Sequence, residues 1–279
     1  MFEDITISFI GSGTMAEAMI RGLLAQEIVS SERIMAAGPR PERGRELETK
    51  YGVRVTVDNT EAAEEGQIVV LSIKPQVLAN VMPEIRGHLR RRDLVLSILA
   101  GTPIRLLADG LAHAAVARAM PNTPAQIGQG ITVWTATPEV NDQQKEQARA
   151  ILGSLGEEIF MAEEDYLDMA TALSGTGPAY VFMFMEALID AGVHMGFSRR
   201  VAQQLVLQTI RGSVEYAARS NRHVAELRNQ VTSPGGTTAE ALYHMEKGGL
   251  RTVLSRGIFA AYQRSIALGK GKKRTDLDV

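Results

Sequence analysis

The fold is decided near the start of the chain by the stretch Ile5-Thr6-Ile7-Ser8-Phe9-Ile10-Gly11-Ser12-Gly13-Thr14-Met15-Ala16. Its first six residues are mostly β-branched or apolar and predict a strand, while apolar residues at helical spacing predict a helix over 16–25. The two glycines allow a tight turn and the close approach of a pyrophosphate to the start of the helix. This order of strand, glycine turn and helix predicts a dinucleotide site rather than a plain connecting turn.

Seven further segments, most of them apolar, predict strands at 33–37, 53–57, 67–73, 94–99, 115–119, 131–134 and 157–160. Helices are predicted between them, for example at 41–51 and 142–152. Several of the runs end in small or turn-forming residues, and in a doubly wound parallel sheet such ends lie at one edge, where ligands bind. We therefore predict an α/β fold with a doubly wound sheet, and expect Ser72, Ile73 and Lys74 to line a cofactor crevice.

The residues after the second predicted strand indicate which dinucleotide binds. An NAD enzyme carries Asp or Glu there for the ribose hydroxyls, whereas this chain has Gly38-Pro39-Arg40. Arg40, with Arg43 as a second candidate, is predicted to pair with a 2′-phosphate, which favours NADPH over NADH. The alternative is that both arginines are solvated residues at the start of a helix.

After residue 160 the strand signals stop and the remaining sequence is typical of helices. We therefore predict a dinucleotide-binding domain over 1–162 and a helical substrate-binding and dimerisation domain over 163–279. The segment 180–195 is apolar nearly all round, apart from a narrow stripe of Glu186, Asp190 and His194. Such a helix is expected to be buried on several sides, which in so small a domain requires a second subunit, so a homo-oligomer is predicted.

A second glycine-rich stretch, Val231-Thr232-Ser233-Pro234-Gly235-Gly236-Thr237-Thr238, is where the reaction is predicted to occur. Thr237 and Glu240 have the spacing of a capping box, so a helix is expected to begin at Thr238. The first N–H groups of that helix have no intrahelical partner and can bind a small carboxylate. The alternative is a capped surface helix without a ligand.

Composition excludes several other classes. The 279 residues carry a net charge of −2, which does not suggest a nucleic-acid partner, and the basic cluster from Lys270 to Arg274 is expected to be a solvated tail. The absence of cysteine fits a cytoplasmic protein. No apolar run approaches the length of a membrane span, and no signal peptide is expected. The predicted partners are a small-molecule substrate and further copies of the chain, with no nucleic acid and no membrane.

The titratable residues form no recognisable catalytic group. The five histidines lack metal-ligand spacing, and no Ser/His/Asp set or carboxylate pair stands out, so no metal is predicted. If the protein is an enzyme, the cofactor is expected to carry the chemistry.

From Phe9 to Gly269 the sequence resembles pyrroline-5-carboxylate reductases. The segments that carry the resemblance are 9–18, 72–76, 120–125, Leu173-Ser174-Gly175-Thr176-Gly177-Pro178-Ala179-Tyr180, and the stretch from Val231 to Thr238. The resemblance implies an N-terminal Rossmann domain and an all-helical C-terminal domain that forms dimers, which assemble into larger rings such as a decamer. Members often carry an acidic residue where this chain has Asn229-Gln230.

The resemblance also assigns residues to the two ligands. The residues implied for NADPH are Ile10, Gly11, Ser12, Gly13, Thr14, Met15, Asn59, Ser72, Ile73, Lys74, Pro75, Ala100 and Gly101. The residues implied for the substrate are Glu164, Val231, Gly236, Thr237 and Thr238. Thr238 is predicted to act in catalysis, with its N–H on the substrate carboxylate and its hydroxyl on the ring nitrogen.

The implied reaction is hydride transfer from NADPH to the C=N carbon of 1-pyrroline-5-carboxylate, which gives proline, the last step of its biosynthesis. Alternatives are a reductase for another cyclic imine acid and a non-catalytic dinucleotide-binding regulator. A β-hydroxyacid dehydrogenase is a further alternative, and it would need a catalytic lysine in the helical domain. The only lysine there before the tail is Lys247, late in its predicted helix, which argues against this class of enzyme.

Overall fold

The computed structural model describes residues 1–271, so most of the basic cluster from Lys270 to Arg274 lies outside the described residues. The strands are β1 Ile7–Ile10, β2 Ile34–Ala37, β3 Arg54–Thr56, β4 Ile68–Leu71, β5 Leu94–Ser97, β6 Val116–Met120, β7 Gly130–Ala136 and β8 Gly156–Phe160. The helices are α1 Thr14–Ala25, α2 Pro41–Tyr51, α3 Asn59–Glu65, α4 Leu78–Ile85, α5 Ile104–Leu111, α6 Asp142–Gly153, α7 Asp165–Ala170, α8 Gly177–His194, α9 Arg199–Arg219, α10 Val224–Gln230, α11 Thr237–Lys247 and α12 Leu250–Gly269.

All eight strands join one sheet in the order β3-β2-β1-β4-β5-β6-β7-β8. The strands from β3 to β6 are parallel, β7 runs antiparallel to β6, and β8 is parallel to β7. The chain first winds outwards from β1 to β3 and then returns to β4 on the other side of β1. The predicted doubly wound α/β sheet is therefore confirmed, with its topological switch point between β1 and β4.

Alternating side chains of the buried strands fill two hydrophobic clusters on the two faces of the sheet. Phe9 and Trp134 belong to the cluster that α1 and α6 cover, whereas Ile10 and Leu71 belong to the cluster that α4 and α5 cover. Because helices cover both faces, the strands are continuous apolar runs rather than alternating ones. The runs predicted from the sequence are all strands, with their ends shifted slightly.

The chain forms two compact units. One is Met1–Thr176 together with the chain from Ala261 onward, and the other is Gly177–Ala260. By packing, α7 thus belongs to the first unit although it follows the last strand. The predicted domain division at 162 and 163, which rests on the loss of strand signals, stays a prediction.

The second unit exposes many large apolar side chains in the single chain. On α8, which packs against α9, Phe182 is 60% exposed and Met183 is 61% exposed. Val214 on α9 and Val253 on α12 are also exposed. The predicted burial of α8 on several sides is therefore not achieved within one chain, because the unit has too few elements to cover it. Apolar surface of this kind is typical of a protein interface.

A helical segment, Asp165–His194, runs through α7, a π-helical turn and α8. By length and composition alone it could cross a membrane. The segment contains the π-helical turn Thr171–Gly175. A single helix of this kind is weak evidence for a membrane, since an apolar helix of a soluble protein passes the same test.

Candidate active site

The glycine turn after β1 lies directly against the end of β4. Gly11 has φ +105°, and a Cβ on it would lie 2.7 Å from the backbone carbon of Ser72. The Ser72 N–H donates to Ile10 O at 2.9 Å, and its hydroxyl donates to Gly11 O at 2.7 Å. Only glycine fits this position, and the structure thus brings the predicted residues of the first turn and of 72–75 together.

The start of α1 is open to a ligand. Gly13 occupies the N-cap position and makes no side-chain cap, so the first N–H groups of the helix are not satisfied by one. A Cβ on Gly13 would meet no atom within 4 Å. An uncapped helix N-terminus beside free space fits the pyrophosphate of a dinucleotide.

The other predicted cofactor residues occupy the same edge of the sheet or its vicinity. Lys74 and Pro75 follow β4, while Ala100 and Gly101 follow β5. Asn59 begins α3, and its side-chain amide donates to Glu84 Oε2 at 2.8 Å. The amide of Asn59 is thus held by another side chain.

The two candidate arginines for a 2′-phosphate differ in their environment. Arg40 is exposed at the N-cap of α2 and forms no ion pair with any residue in the range 1–271. Arg43 Nε donates to Ser12 O at 3.0 Å, and its guanidinium pairs with Glu17 and with Glu46. Arg43 therefore holds the glycine turn, and Arg40 is the arginine left for a ligand.

Glu17 on α1 is the centre of a cluster that joins α1 to α2. It accepts hydrogen bonds from Arg43, from Lys50 Nζ at 2.9 Å and from the Tyr51 hydroxyl at 2.8 Å. These contacts, first that of Arg43 and then that of Lys50, hold the pKa of Glu17 at about 2, well below its ordinary value of 4.5. Sequence reasoning missed this cluster because Glu17 lies inside the helix that follows the glycine turn.

We expect Glu17→Gln to destabilise the protein by about 2–3 kcal/mol at neutral pH. Because the pKa is depressed in the folded state, the stabilisation is full above 4.5 and is lost as pH falls towards about 2. Urea unfolding of wild type and variant at pH 7 and pH 3 measures the difference, which should be clearly smaller at pH 3. A Glu48→Gln control, which changes an exposed carboxylate of α2, should alter the free energy of unfolding by less than about 0.5 kcal/mol. An equal difference at both pH values would contradict the assignment.

A buried arginine on β6, also missed by sequence reasoning, pairs with two carboxylates. Arg118 is 4% exposed, and its Nη1 lies 2.6 Å from Glu164 Oε1. Its Nη2 lies 3.6 Å from Asp168 Oδ1. The same oxygen of Glu164 accepts from the N–H of Ile104 at 2.7 Å, at the start of α5. The sequence did contain one signal for this cluster, a single arginine within the apolar run 115–119. A charge buried in such a strand needs partners of opposite charge.

Two segments that carry the family resemblance are in contact in the first unit. The side-chain amide of Asn122 donates to Ser174 O at 3.2 Å, and Asn122 Oδ1 accepts from Ile131 N at 3.0 Å. A Cβ on Gly175 would lie 2.5 Å from Met120 Cε. Ser174 and Gly175 belong to the π-helical turn, a feature that is frequent at functional sites.

In the second unit, α11 begins one residue earlier than expected. Gly236 is the N-cap, with φ −82° and ψ 167°, and Thr237 is the first helical residue. The predicted capping box of Thr237 and Glu240 was therefore wrong: Glu240 N donates to Gly236 O at 3.2 Å as an ordinary helical bond. The reason is that Gly236 adopts the extended backbone conformation of an N-cap residue, so this glycine rather than Thr237 occupies the cap position. No side chain caps this end of the helix.

The turn that precedes α11 favours glycine at position 235, where φ is positive. Gly235 has φ +68°, and a Cβ on Gly236 would lie 2.5 Å from Ser233 Oγ. Thr237 is exposed and Thr238 half-buried, while Val231, at the end of α10, is 67% exposed. The predicted substrate residues of this loop thus surround an uncapped and accessible helix N-terminus. Such an end can bind a carboxylate.

Within residues 1–271, no group of three or more His, Asp or Glu side chains is placed to hold a metal ion.

Two family models match the chain. The model described as pyrroline-5-carboxylate reductase dimerisation matches residues 164–268, which include α8 and the loop before α11. The model described as NADP oxidoreductase, coenzyme F420-dependent, matches residues 6–101, from β1 to the segment after β5.

Known proteins resemble the chain over nearly its whole length. It is 41% identical over 267 residues to pyrroline-5-carboxylate reductase of Synechocystis sp., a match that covers 96% of this chain and 99% of the relative. The crystal structure of Plasmodium falciparum pyrroline carboxylate reductase with NADP bound has a TM-score of 0.88 at 34% identity and covers 96% of this chain and 99% of that one. Pyrroline-5-carboxylate reductase from Coxiella burnetii has a TM-score of 0.87 at 35% identity, with the same coverage. The chain therefore belongs to the pyrroline-5-carboxylate reductase family.

Proposed function

We infer that this protein is an NADPH-dependent oxidoreductase that reduces the cyclic imine 1-pyrroline-5-carboxylate to proline. The near full-length likeness to pyrroline-5-carboxylate reductases carries this function. One of these relatives is described with NADP bound, which supports the same cofactor here. The geometry of the glycine turn agrees with a dinucleotide.

The residues proposed for the cofactor are those at the glycine turn and at the ends of β4 and β5. The uncapped start of α1 would bind the pyrophosphate, and the approach of Ser72 to Gly11 fixes the turn beside it. When bound, NADPH supplies the hydride that reduces the C=N bond. The part of the protein is then to bind both ligands, to orient them and to exclude water.

The residues proposed for the substrate lie at the start of α11. The N–H groups of Thr237 and Thr238 are the first of the helix and would bind the substrate carboxylate, where the helix dipole also favours negative charge. The Thr238 hydroxyl would donate to or accept from the ring nitrogen and so orient the imine. Val231 and Gly236 would form the wall of the same loop. Glu164, which the family resemblance also implies, has Oε1 occupied by Arg118 and Ile104.

An Arg40→Asp variant is expected to lose preference for NADPH over NADH. Arg40 is exposed and, within residues 1–271, without an ion pair, so it can pair with a 2′-phosphate. Loss of a charge-assisted hydrogen bond, followed by repulsion from Asp, should lower the ratio of kcat/KM for NADPH to that for NADH by about tenfold or more. The matched control is Arg45→Asp, the same charge reversal at another exposed position of α2. If Arg40→Asp kept the wild-type ratio, the 2′-phosphate would be bound elsewhere.

We propose that the active form is a homodimer that assembles into a larger ring, with a decamer as the size to test, in the cytoplasm. The dimerisation family match at 164–268 and the exposed apolar surface of α8, α9 and α12 support oligomers. The same match supports a soluble protein, because a second copy gives the apolar face of α8 a partner other than lipid. Sedimentation of the purified protein measures the number of subunits.

One assay tests the proposed reaction. Purified protein is mixed with NADPH and pyrroline-5-carboxylate, and loss of the nicotinamide absorbance is followed, with hydroxyacids and larger cyclic imine acids as competing substrates. We expect turnover of the five-membered imine to exceed that of all others. Faster turnover of a larger ring would make the protein a reductase of another cyclic imine acid, and cofactor binding without turnover would make it a regulator.

A further inference from the structure

The segment 100–103 follows β5 at the proposed cofactor edge, and its far end is held by a carboxylate. Pro103 is the N-cap of α5 and makes no side-chain cap. The N–H of Ile104, the first residue of α5, instead donates to Glu164 Oε1 at 2.7 Å. Glu164 lies sixty positions away in sequence and immediately precedes α7. The position of the segment therefore depends on where Glu164 is held.

The near end of the segment packs against the last turn of α12. Gly101 has φ +63°, and a Cβ on it would lie 2.9 Å from Leu268 Cβ and 3.7 Å from Ser265 O. A Cβ on Gly269 would lie 3.5 Å from Pro103 Cγ. The buried Ser265 donates its hydroxyl to Asp168 Oδ1 at 2.6 Å. The position of α12 beside Gly101 thus depends on Asp168.

Arg118 links both ends of the segment. Its guanidinium pairs with Glu164, which holds Ile104, and with Asp168, which holds Ser265. A planar guanidinium can hold two acceptors in fixed directions, which a lysine ammonium does not. Because Arg118 is nearly fully buried, its guanidinium is largely removed from water and depends on these two carboxylates for compensation of its charge.

We propose that Arg118 is a positioning residue. Together with Glu164 and Asp168, it fixes the segment 100–103 in the position where this segment would line the nicotinamide end of the cofactor site. The proposal rests on the proposed function, because it takes Ala100 and Gly101 as the nicotinamide edge of the site. Arg118 is not proposed to contact the cofactor itself. It acts through two carboxylates on the two ends of one segment.

A merely structural ion pair would have different consequences. Breaking it would lower the free energy of unfolding and would affect all parts of the cofactor site alike. Loss of positioning at 100–103 would instead affect only the nicotinamide half of the cofactor, because the adenine half would be held on the other side of the switch point, by Arg40 after β2. The two roles are thus separable with a ligand that lacks nicotinamide.

The test uses Ser265→Ala and Asp168→Asn in the full-length protein, neither of which is a proposed ligand contact. The measurements are kcat, the Kd of NADPH and the Kd of adenosine 2′,5′-bisphosphate, which contains the adenine half alone. We expect kcat to fall and the Kd of NADPH to rise, each by about tenfold, since small misplacement of a reacting group costs one to two powers of ten in rate. The Kd of the bisphosphate should stay within about twofold. The matched control is Ser213→Ala, a serine on α9 whose hydroxyl donates to Thr209 O of its own helix.

Two results would overturn the proposal. One is unchanged kcat and NADPH affinity in both variants, and the other is an equal loss of affinity for NADPH and for the bisphosphate. Failure of the proposed function is distinguishable, because the wild type would then bind both ligands without reducing pyrroline-5-carboxylate. In that case the dissociation constants of the two variants for NADPH and for the bisphosphate still decide whether the cluster of Arg118 positions the segment 100–103.

Discussion

Replacing Met183 by lysine is expected to convert the protein into a monomer at micromolar concentration, where the wild type should sediment as a dimer or larger. Met183 on α8 is 61% exposed in the single chain and lies in the region that matches the dimerisation model. A lysine there can remain solvated in the monomer, so the variant is expected to fold. In the dimer, however, the ammonium group would be buried without a partner.

The expected effect is large for two reasons. Burial of an unpaired charge costs several kcal/mol, and a two-fold symmetric interface contains each substitution twice. At about 1.4 kcal/mol for each tenfold change, the dissociation constant should rise by about a thousandfold or more. The lining of the shallow groove beside Met183 supports the same argument, because Phe182, Met185 and Ile189 would all leave water on dimerisation.

The matched control is Ile127→Lys, which also adds a charge at an exposed apolar position. Ile127 is 76% exposed but lies outside the dimerisation match. The Ile127→Lys variant should sediment as the wild type does. A monomeric wild type, or a Met183→Lys variant that remains dimeric, would show that the apolar surface of α8 is not the interface.

Local patterns were sufficient to predict the sheet. Most of the eight strands are short apolar runs between turn residues, and the glycine turn after β1 has the spacing and flanking elements of a dinucleotide site. These features depend on neighbours in sequence, so the sequence alone specifies them.

The contacts between distant residues could not be predicted. Arg118 is 46 residues from Glu164, and Arg43 is 26 residues from Glu17, and nothing local indicates either pair. The π-helical turn at Thr171–Gly175 has no pattern of its own in the sequence and depends on packing such as that of Gly175 against Met120. The boundary between the two compact units was also hidden, because Thr176 and Ala260 lie within helical segments rather than in a linker.

The start of α11 shows how a local pattern can mislead. Thr237 and Glu240 have the spacing of a capping box, but the glycine one position earlier takes the cap. With Gly236 as N-cap, no side chain competes for the first N–H groups of the helix, and Thr238 becomes the second helical residue rather than the first.

Thr238→Ala is expected to lower kcat/KM for pyrroline-5-carboxylate by about tenfold to over a hundredfold. The substitution keeps the N–H proposed for the carboxylate and removes only the hydroxyl proposed for the ring nitrogen. A hydrogen bond to a charged group is worth about 1.5–3 kcal/mol, and the nitrogen is charged when the imine is protonated. Steady-state kinetics with saturating NADPH measure the loss, and the affinity for NADPH should stay within about twofold.

The competing interpretation is that Thr238 is an ordinary helical residue. Alanine is the better helix former, so the variant would then be as stable as the wild type and as active. A control, Thr252→Ala, removes an exposed threonine hydroxyl from the first turn of α12 and should not change kcat/KM. Because Thr238 is half-buried and its N–H lies at an uncapped helix end, the two interpretations predict the same folding but different rates. Wild-type turnover by a folded Thr238→Ala variant would remove this hydroxyl from the reaction and leave the backbone N–H groups as the only proposed hydrogen-bond donors of the loop.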